Sequence, residues 1–376
     1  MEKNRFNPTQ LKKARISRGY TRNDLARETG ISRQTVSNYE LGKTNPKGES
    51  LLKIINALNF PRSFFLDNSK KTLLRGPAFF RSQAAATKRT RDMQETKLNF
   101  LNDIYDVLKK YVNFPSLNLP DLIYQDPIDI TDEYVKEEAK KLRIFWGLNN
   151  SDPINNIINL VEANGIIISE ANMTDNKLDA VSEFIEDKPY IMLTDNGESS
   201  VRRRFNVAHE LGHIILHNGV ESIHDYTYSE QKNIIEYQAN LFASSFLMPD
   251  DAFKKTLVSV SLEFYIDLKK YWKTSIQSMI YKTSKLDLIS EDQKLYLNKK
   301  ISWNKWRKVE PLDDVLVIEK PELFNTIFNM IVDNGVVDKN ELVRSFNLPK
   351  DELEKIFNMK FNDVPRMEVP KLRLIK

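Results

Sequence analysis

Residues 209–213 read His-Glu-Leu-Gly-His inside a largely apolar stretch. On a helix, positions four apart lie one turn apart on the same face, so His209 and His213 present their imidazoles side by side. Such a pair can hold one zinc ion. Glu210 then stands beside the open coordination position, where it can take a proton from water. The flanks read as helix: Phe205, Ala208, Leu211, Gly212, Ile215 and Leu216 are small or apolar, and Asn218-Gly219 is a C-cap signal. Buried polar groups are costly unless partnered. Two histidines and a glutamate in such a helix therefore call for a metal or for a hydrogen-bond network of their own.

A third ligand is available in Glu236, 23 residues after His213. It opens a stretch in which Ala239, Phe242, Ala243 and Phe246 recur at helical spacing as a core-facing stripe. Glu236 precedes Ala239 and Ala243 by three and seven positions, which puts its carboxylate on the same inward face. That position is expensive without a pairing or a metal. Two histidines and a glutamate with the fourth position left to water describe a catalytic zinc site, not a closed structural one. Asn240, one turn after Glu236, is placed either to hydrogen-bond a ligand histidine or to serve the packing. His217 lies two turns from His209, about 12 Å along the axis, so both cannot bind one ion on an intact helix. It reads as a partner behind the ligands or as a structural residue. His224, Asp225, Tyr226 and Tyr228 lie in a polar loop that reads as surface, or as the source of an oxyanion donor.

On these residues the chain resembles the ImmA/IrrE family of bacterial zinc metallopeptidases. The resemblance covers about residues 130–255 and includes Ala139-Lys-Lys-Leu-Arg-Ile-Phe-Trp-Gly-Leu upstream of the motif. It implies a gluzincin-like site with ligands His209, His213 and Glu236, base Glu210, and a zincin-like α+β domain with a small sheet. Independently, Gly165–Glu170, Leu178–Phe184 and Pro189–Thr194 are short, β-branched and bounded by turn residues, as strands are.

The N-terminal 60 residues carry a second message. Asn7-Pro8 starts one helix and Arg18-Gly19 ends it. Thr21-Arg-Asn-Asp24 is a capping-box start for a second helix, closed by Gly30; Ser32 can cap a third over 33–40. Leu25, Ala26, Ile31, Val36 and Tyr39 are spaced to pack two helices across a tight turn, the layout of a helix-turn-helix. Twelve Lys/Arg against five Asp/Glu give this stretch +7, while the whole chain is +4, so the remainder is about −3. The basic charge is concentrated where DNA would bind. The order Thr21-Arg-Asn-Asp-Leu-Ala, Val36-Ser-Asn-Tyr-Glu, Gly42-Lys-Thr-Asn-Pro46 resembles the XRE family. Helix three would then enter the major groove, with Arg33, Gln34, Thr35 and Asn38 toward base edges and Arg22 and Lys43 on phosphate.

The expected class is mixed and mainly α. An all-α helix-turn-helix head (1–66) is followed by a basic, helical connector (67–120), a zinc metallopeptidase domain (121–255) and a helical C-terminal region (256–376). Within the connector, residues 98–113 predict an amphipathic helix, and the basic, partly aromatic stretch before it predicts a helix packed on the zinc domain. Residues 338–353 resemble a further small helix-turn-helix of slightly acidic balance. No apolar run approaches a membrane span and Met1-Glu-Lys-Asn-Arg leads into no signal segment, which predicts a cytoplasmic protein without a membrane partner. With no cysteine, zinc must use His and carboxylate. The expected partners are double-stranded operator DNA and a protein, either a repressor that is cut or a toxin that is bound uncut. A homodimer is expected by analogy with units that read paired half-sites. The setting implied is a bacterial mobile element, a phage or a stress response.

Overall fold

The computed structural model describes residues 6–67, 75–80, 88–171, 180–194, 196–217 and 229–361, with the backbone course alone at 75–80 and 229–232. The loop at 224–228 and the Asn218-Gly219 cap fall outside these residues.

Four helices form the head: α1 (Pro8–Ser17), α2 (Arg22–Thr29), α3 (Arg33–Glu40) and α4 (Gly48–Leu58). Their ends are written locally. Asn7 accepts hydrogen bonds from the backbone N–H of Thr9 and Gln10, and Ser32 accepts from Thr35. Thr21 and Asp24 form a reciprocal capping box. Gly30 closes α2 at φ +68°, a left-handed turn that glycine takes without strain. Leu11, Ala14, Leu25, Val36, Ile54 and Leu58 fill the space between the helices.

Beyond the head come strand β1 (Arg75–Phe80) and helix α5 (Lys88–Leu108). The connector thus contributes an edge strand that its Gly-Pro punctuation hides. Its helix begins ten residues earlier than the periodicity predicts, because Met93, Gln94 and Lys97 continue the buried face upstream of Leu98. This helix packs on α1 and on β4, and residues 81–87 of the basic stretch before it lie outside the described residues. Helices α6 (Asp132–Phe145) and α7 (Ile157–Ala163) follow, then β2 (Ile167–Ala171), β3 (Ala180–Ile185) and β4 (Lys188–Thr194). The sheet order is β1-β3-β4-β2, with β2 parallel to β4 and the other pairs antiparallel. After it come α8 (Ser200–Leu216), α9 (Ser229–Leu247) and α10 (Asp250–Thr256). The C-terminal helices are α11 (Leu262–Trp272), α12 (Ile276–Lys285), α13 (Glu291–Trp303), α14 (Leu323–Asp333), α15 (Lys339–Ser345) and α16 (Lys350–Ile356).

The sheet is buried on both faces, which accounts for the near-continuous apolar runs of its strands. Ile168, Ala180, Ile191 and Leu193 face a core shared with α6 to α9 and with α11 to α13. Ile167, Val181, Ile185, Tyr190 and Met192 face a second core shared with α5, the head and α14 to α16. Residues 256–376, expected as one helical region, are therefore divided between two cores. The dividing segment is pinned by Glu319, which accepts the backbone N–H of Ile157 and pairs with the buried Arg204 guanidinium. Helix α16 reaches the head and α5 through charge: Arg18 of the head pairs with Asp351 at 2.5 Å, and the buried Lys97 ammonium of α5 donates to Glu352 at 2.8 Å. Among the described residues no helix is long and apolar enough to cross a membrane.

Candidate metal centre and nucleic-acid interface

Helices α8 and α9 lie in close contact, and glycine makes that possible. A Cβ on Gly212 would stand 3.2 Å from Phe242 Cβ and 3.3 Å from Ala239 Cα, so a side chain here would push α9 away. The two helices bring His209, His213 and Glu236 together, with ligand atoms within 4.8 Å of one another. Both histidines are fully buried, and Glu236 is partly exposed at the rim. The Nε2 atoms of His209 and His213 are 3.0 Å apart, and the Glu236 carboxylate oxygens lie 3.5 and 3.8 Å from them. Tetrahedral zinc with bonds of about 2.05 Å separates its donor atoms by ~3.3 Å, the middle of that range.

The hydrogen bonds behind the two histidines bear on which ring nitrogen carries the proton. The Gln238 amide nitrogen donates to the carbonyls of Pro127 (2.7 Å) and Ile130 (3.2 Å), which turns its oxygen toward His217 Nε2 at 3.0 Å. His217 must then donate from Nε2 and accept at Nδ1, which lies 3.0 Å from His213 Nδ1. His213 then carries its proton on Nδ1 and presents Nε2 as an acceptor. His209 reaches the same state, because its Nδ1 lies 3.0 Å from the Asn240 side-chain oxygen. Burial pushes His217 down to about 4 despite the bond to Gln238, so it stays a neutral link. In this tautomer state the two Nε2 atoms, 3.0 Å apart, are both acceptors. A cation between them removes the repulsion, so the donor set fits a metal ion. Glu210 is fully buried, and Ser182 on β3 donates to its Oε2 at 2.6 Å.

Asn240 and His217 each lie within hydrogen-bond distance of a motif histidine. Sequence reasoning missed Ser182 and Gln238. A lone serine between Ala180 and Phe184 on the helix-facing side of a strand was a readable signal for Ser182. Gln238 had none, because the two carbonyls that orient its amide lie more than a hundred residues away.

At the head, Arg33 and Gln34 are exposed, and Thr35 and Asn38 are half-buried on the same helix. Gln34 donates to the Asn38 side-chain oxygen at 3.2 Å, and Thr35 lies 2.9 Å from Ser32 Oγ. Lys43 is exposed in the loop after α3. Arg22 is half-buried and is already engaged through Nε with Glu40 at 2.7 Å. Glu40, which ends α3, is also held by Arg15 at 2.5 Å. Burial would raise its pKa, but the two guanidiniums prevail and hold it below the ordinary glutamate value.

Comparison with known proteins matches two stretches of the chain. Residues 161–284 match the family model of the IrrE N-terminal-like domain, peptidase family M78, and residues 11–65 match a helix-turn-helix family model. A relative from Bacillus subtilis (strain 168), the SPbeta prophage-derived uncharacterized HTH-type transcriptional regulator YonR, is 40% identical over 57 residues. The match covers 15% of this chain and 53% of the relative, so the chain spans about half the length of that curated protein. The chain therefore joins an XRE-type helix-turn-helix domain to an IrrE/ImmA-like domain of the M78 peptidase family.

Proposed function

We propose that this chain is a DNA-binding transcriptional regulator with a zinc-dependent endopeptidase, which cuts a regulatory protein and so relieves repression. The protein cut is a partner repressor or the chain itself. The observation that carries the reading is the convergence of His209, His213 and Glu236 beside the buried Glu210. The regulator half is supported by the helix-turn-helix match and by the name of the B. subtilis relative.

Zinc held by the three donors would supply Lewis acidity toward a water and toward the scissile carbonyl. The protein supplies the rest. Glu210 takes a proton from the attacking water and returns it to the leaving amine. Ser182 fixes the rotation of that carboxylate through Oε2. Gln238, His217 and Asn240 keep both histidines in the ligating tautomer.

Elemental analysis of untagged protein tests the site. About one zinc per chain is expected in wild type, with strong loss in Glu236→Ala. Glu210→Gln should keep the zinc and lose cleavage of the products of neighbouring genes or of the chain itself. An undiminished rate in Glu210→Gln, or wild type that takes up no zinc, overturns the reading. A small protein that co-purifies and stays uncut would replace it with a toxin-binding antitoxin or repressor.

A further inference from the structure

A cleft of about 370 Å³ opens between the head and the first turn of α5. Arg15, Arg22, Arg33, Lys88 and Arg89 line it, with Asp92 the one carboxylate in the lining. Glu40 holds Arg15 and Arg22 from behind, and Asp24 lies 3.9 Å from Arg89. Counting these against it still leaves five cations facing three carboxylates. The charge is accessible as well: Lys88 and Arg33 are exposed, and the side chains of Arg89 and Arg22 are 52% and 38% exposed.

We infer that the first turn of α5 belongs to the DNA-binding surface, with Lys88 and Arg89 joining Arg22 on the phosphates that run beside the reading helix. The inference rests on the reading of the head as DNA-binding. Arg33 ties the two surfaces together, because it stands at the N-terminus of α3, the end that faces base edges in a helix-turn-helix complex, and it also lines the cleft. What enters the cleft beside α3 is then the backbone flanking the groove. Arginine and lysine suit phosphate, and such contacts set register without reading sequence. A DNA-bound α5 would be a direct mechanical link, since the same helix carries the Lys97–Glu352 pair and packs on β4.

The test uses the full chain and a labelled 24-base-pair duplex of arbitrary sequence, with affinity followed over a sodium chloride series. Lys88→Ala with Arg89→Ala should make the slope of log affinity against log salt shallower by about 1 to 2, because each phosphate contact contributes roughly 0.9. Binding to unrelated duplexes should weaken by the same factor. Lys299→Ala with Lys300→Ala makes the same change in net charge on exposed residues of α13 and should leave the slope alone. An unchanged slope in the α5 variant, or an equal change in the α13 variant, overturns the proposal while leaving the head reading intact. So does stabilisation by inorganic pyrophosphate that is lost in the α5 variant while the salt slope stays put, which would assign the cleft to a small anion. Wild type that binds no duplex overturns the head reading and the proposal together.

Discussion

Helix α8 and helix α3 each carry the residues of a proposed site, but they are built in opposite ways. On α8 every polar side chain of the motif is fully buried and hydrogen-bonded to a named partner. On α3 Arg33 and Gln34 point to solvent, and the buried polar residue is Glu40 at the far end. The reason is where the geometry comes from. A metal centre must hold its donors before the ion arrives, so the protein fixes them in its interior. DNA brings its own groove, so the reading side chains need only a rigid helix beneath them and freedom at their tips.

The largest effect that can break this comparison lies under α3. Glu40→Ala leaves the Arg15 guanidinium buried without its carboxylate and should cost about 3–5 kcal/mol, read by urea unfolding. A small change there would mean that α3 is not anchored through charge. The carboxylate also sets an acid limit on the head. The folded pKa of Glu40 is depressed. Its stabilisation is therefore complete above the unfolded value of about 4.3 and is lost as pH falls through the lower folded value. The fall in stability below that point should be shallower in Glu40→Gln.

Next comes the metal side. Gln238→Leu strands two carbonyls and the His217 N–H, costing about 2–4 kcal/mol. It should also weaken zinc binding about 10- to 100-fold in competition with a chelating dye. Loss of stability with zinc affinity intact would show that Gln238 serves packing alone. Gly212→Val should cost about 1–3 kcal/mol by driving α8 and α9 apart, and near-neutrality in thermal unfolding would show that α9 can shift. The smallest effect on stability sharpens the contrast: Gln34→Ala should lie within ~0.5 kcal/mol of wild type, while discrimination at one base pair falls by about 1–3 kcal/mol.

What could be read in the sequence was local. The caps of α1 to α3, the one-turn spacing of His209 and His213, and the inward position of Glu236 depend on neighbours within a turn or two. Strand β1 escaped because Gly76-Pro77 signals a turn and its pairing partner β3 lies about a hundred residues further on. The division of the C-terminal helices escaped for a related reason. Nothing in α13 or α14 states which face of a distant sheet each will cover, although each buries apolar residues. Three of the chain's four histidines fall on one stretch of helix, which is why the motif stood out while Gln238 did not.

The sheet's two buried faces bear on how such a fusion can be taken apart. Val181, Ile185, Tyr190 and Met192 rest against the core that holds the head, while their neighbours on the same strands rest against the core that holds α8 and α9. Cutting the chain after the head would uncover part of the core that α5 and α14 to α16 share with one face of the sheet, and cutting after residue 284 would remove α14 to α16 from that face. A fragment made that way should be insoluble or partly molten, and its lack of activity would say nothing about the intact protein. The sheet is thus a shared wall between two cores, and a fragment that keeps it must also keep what covers each of its faces.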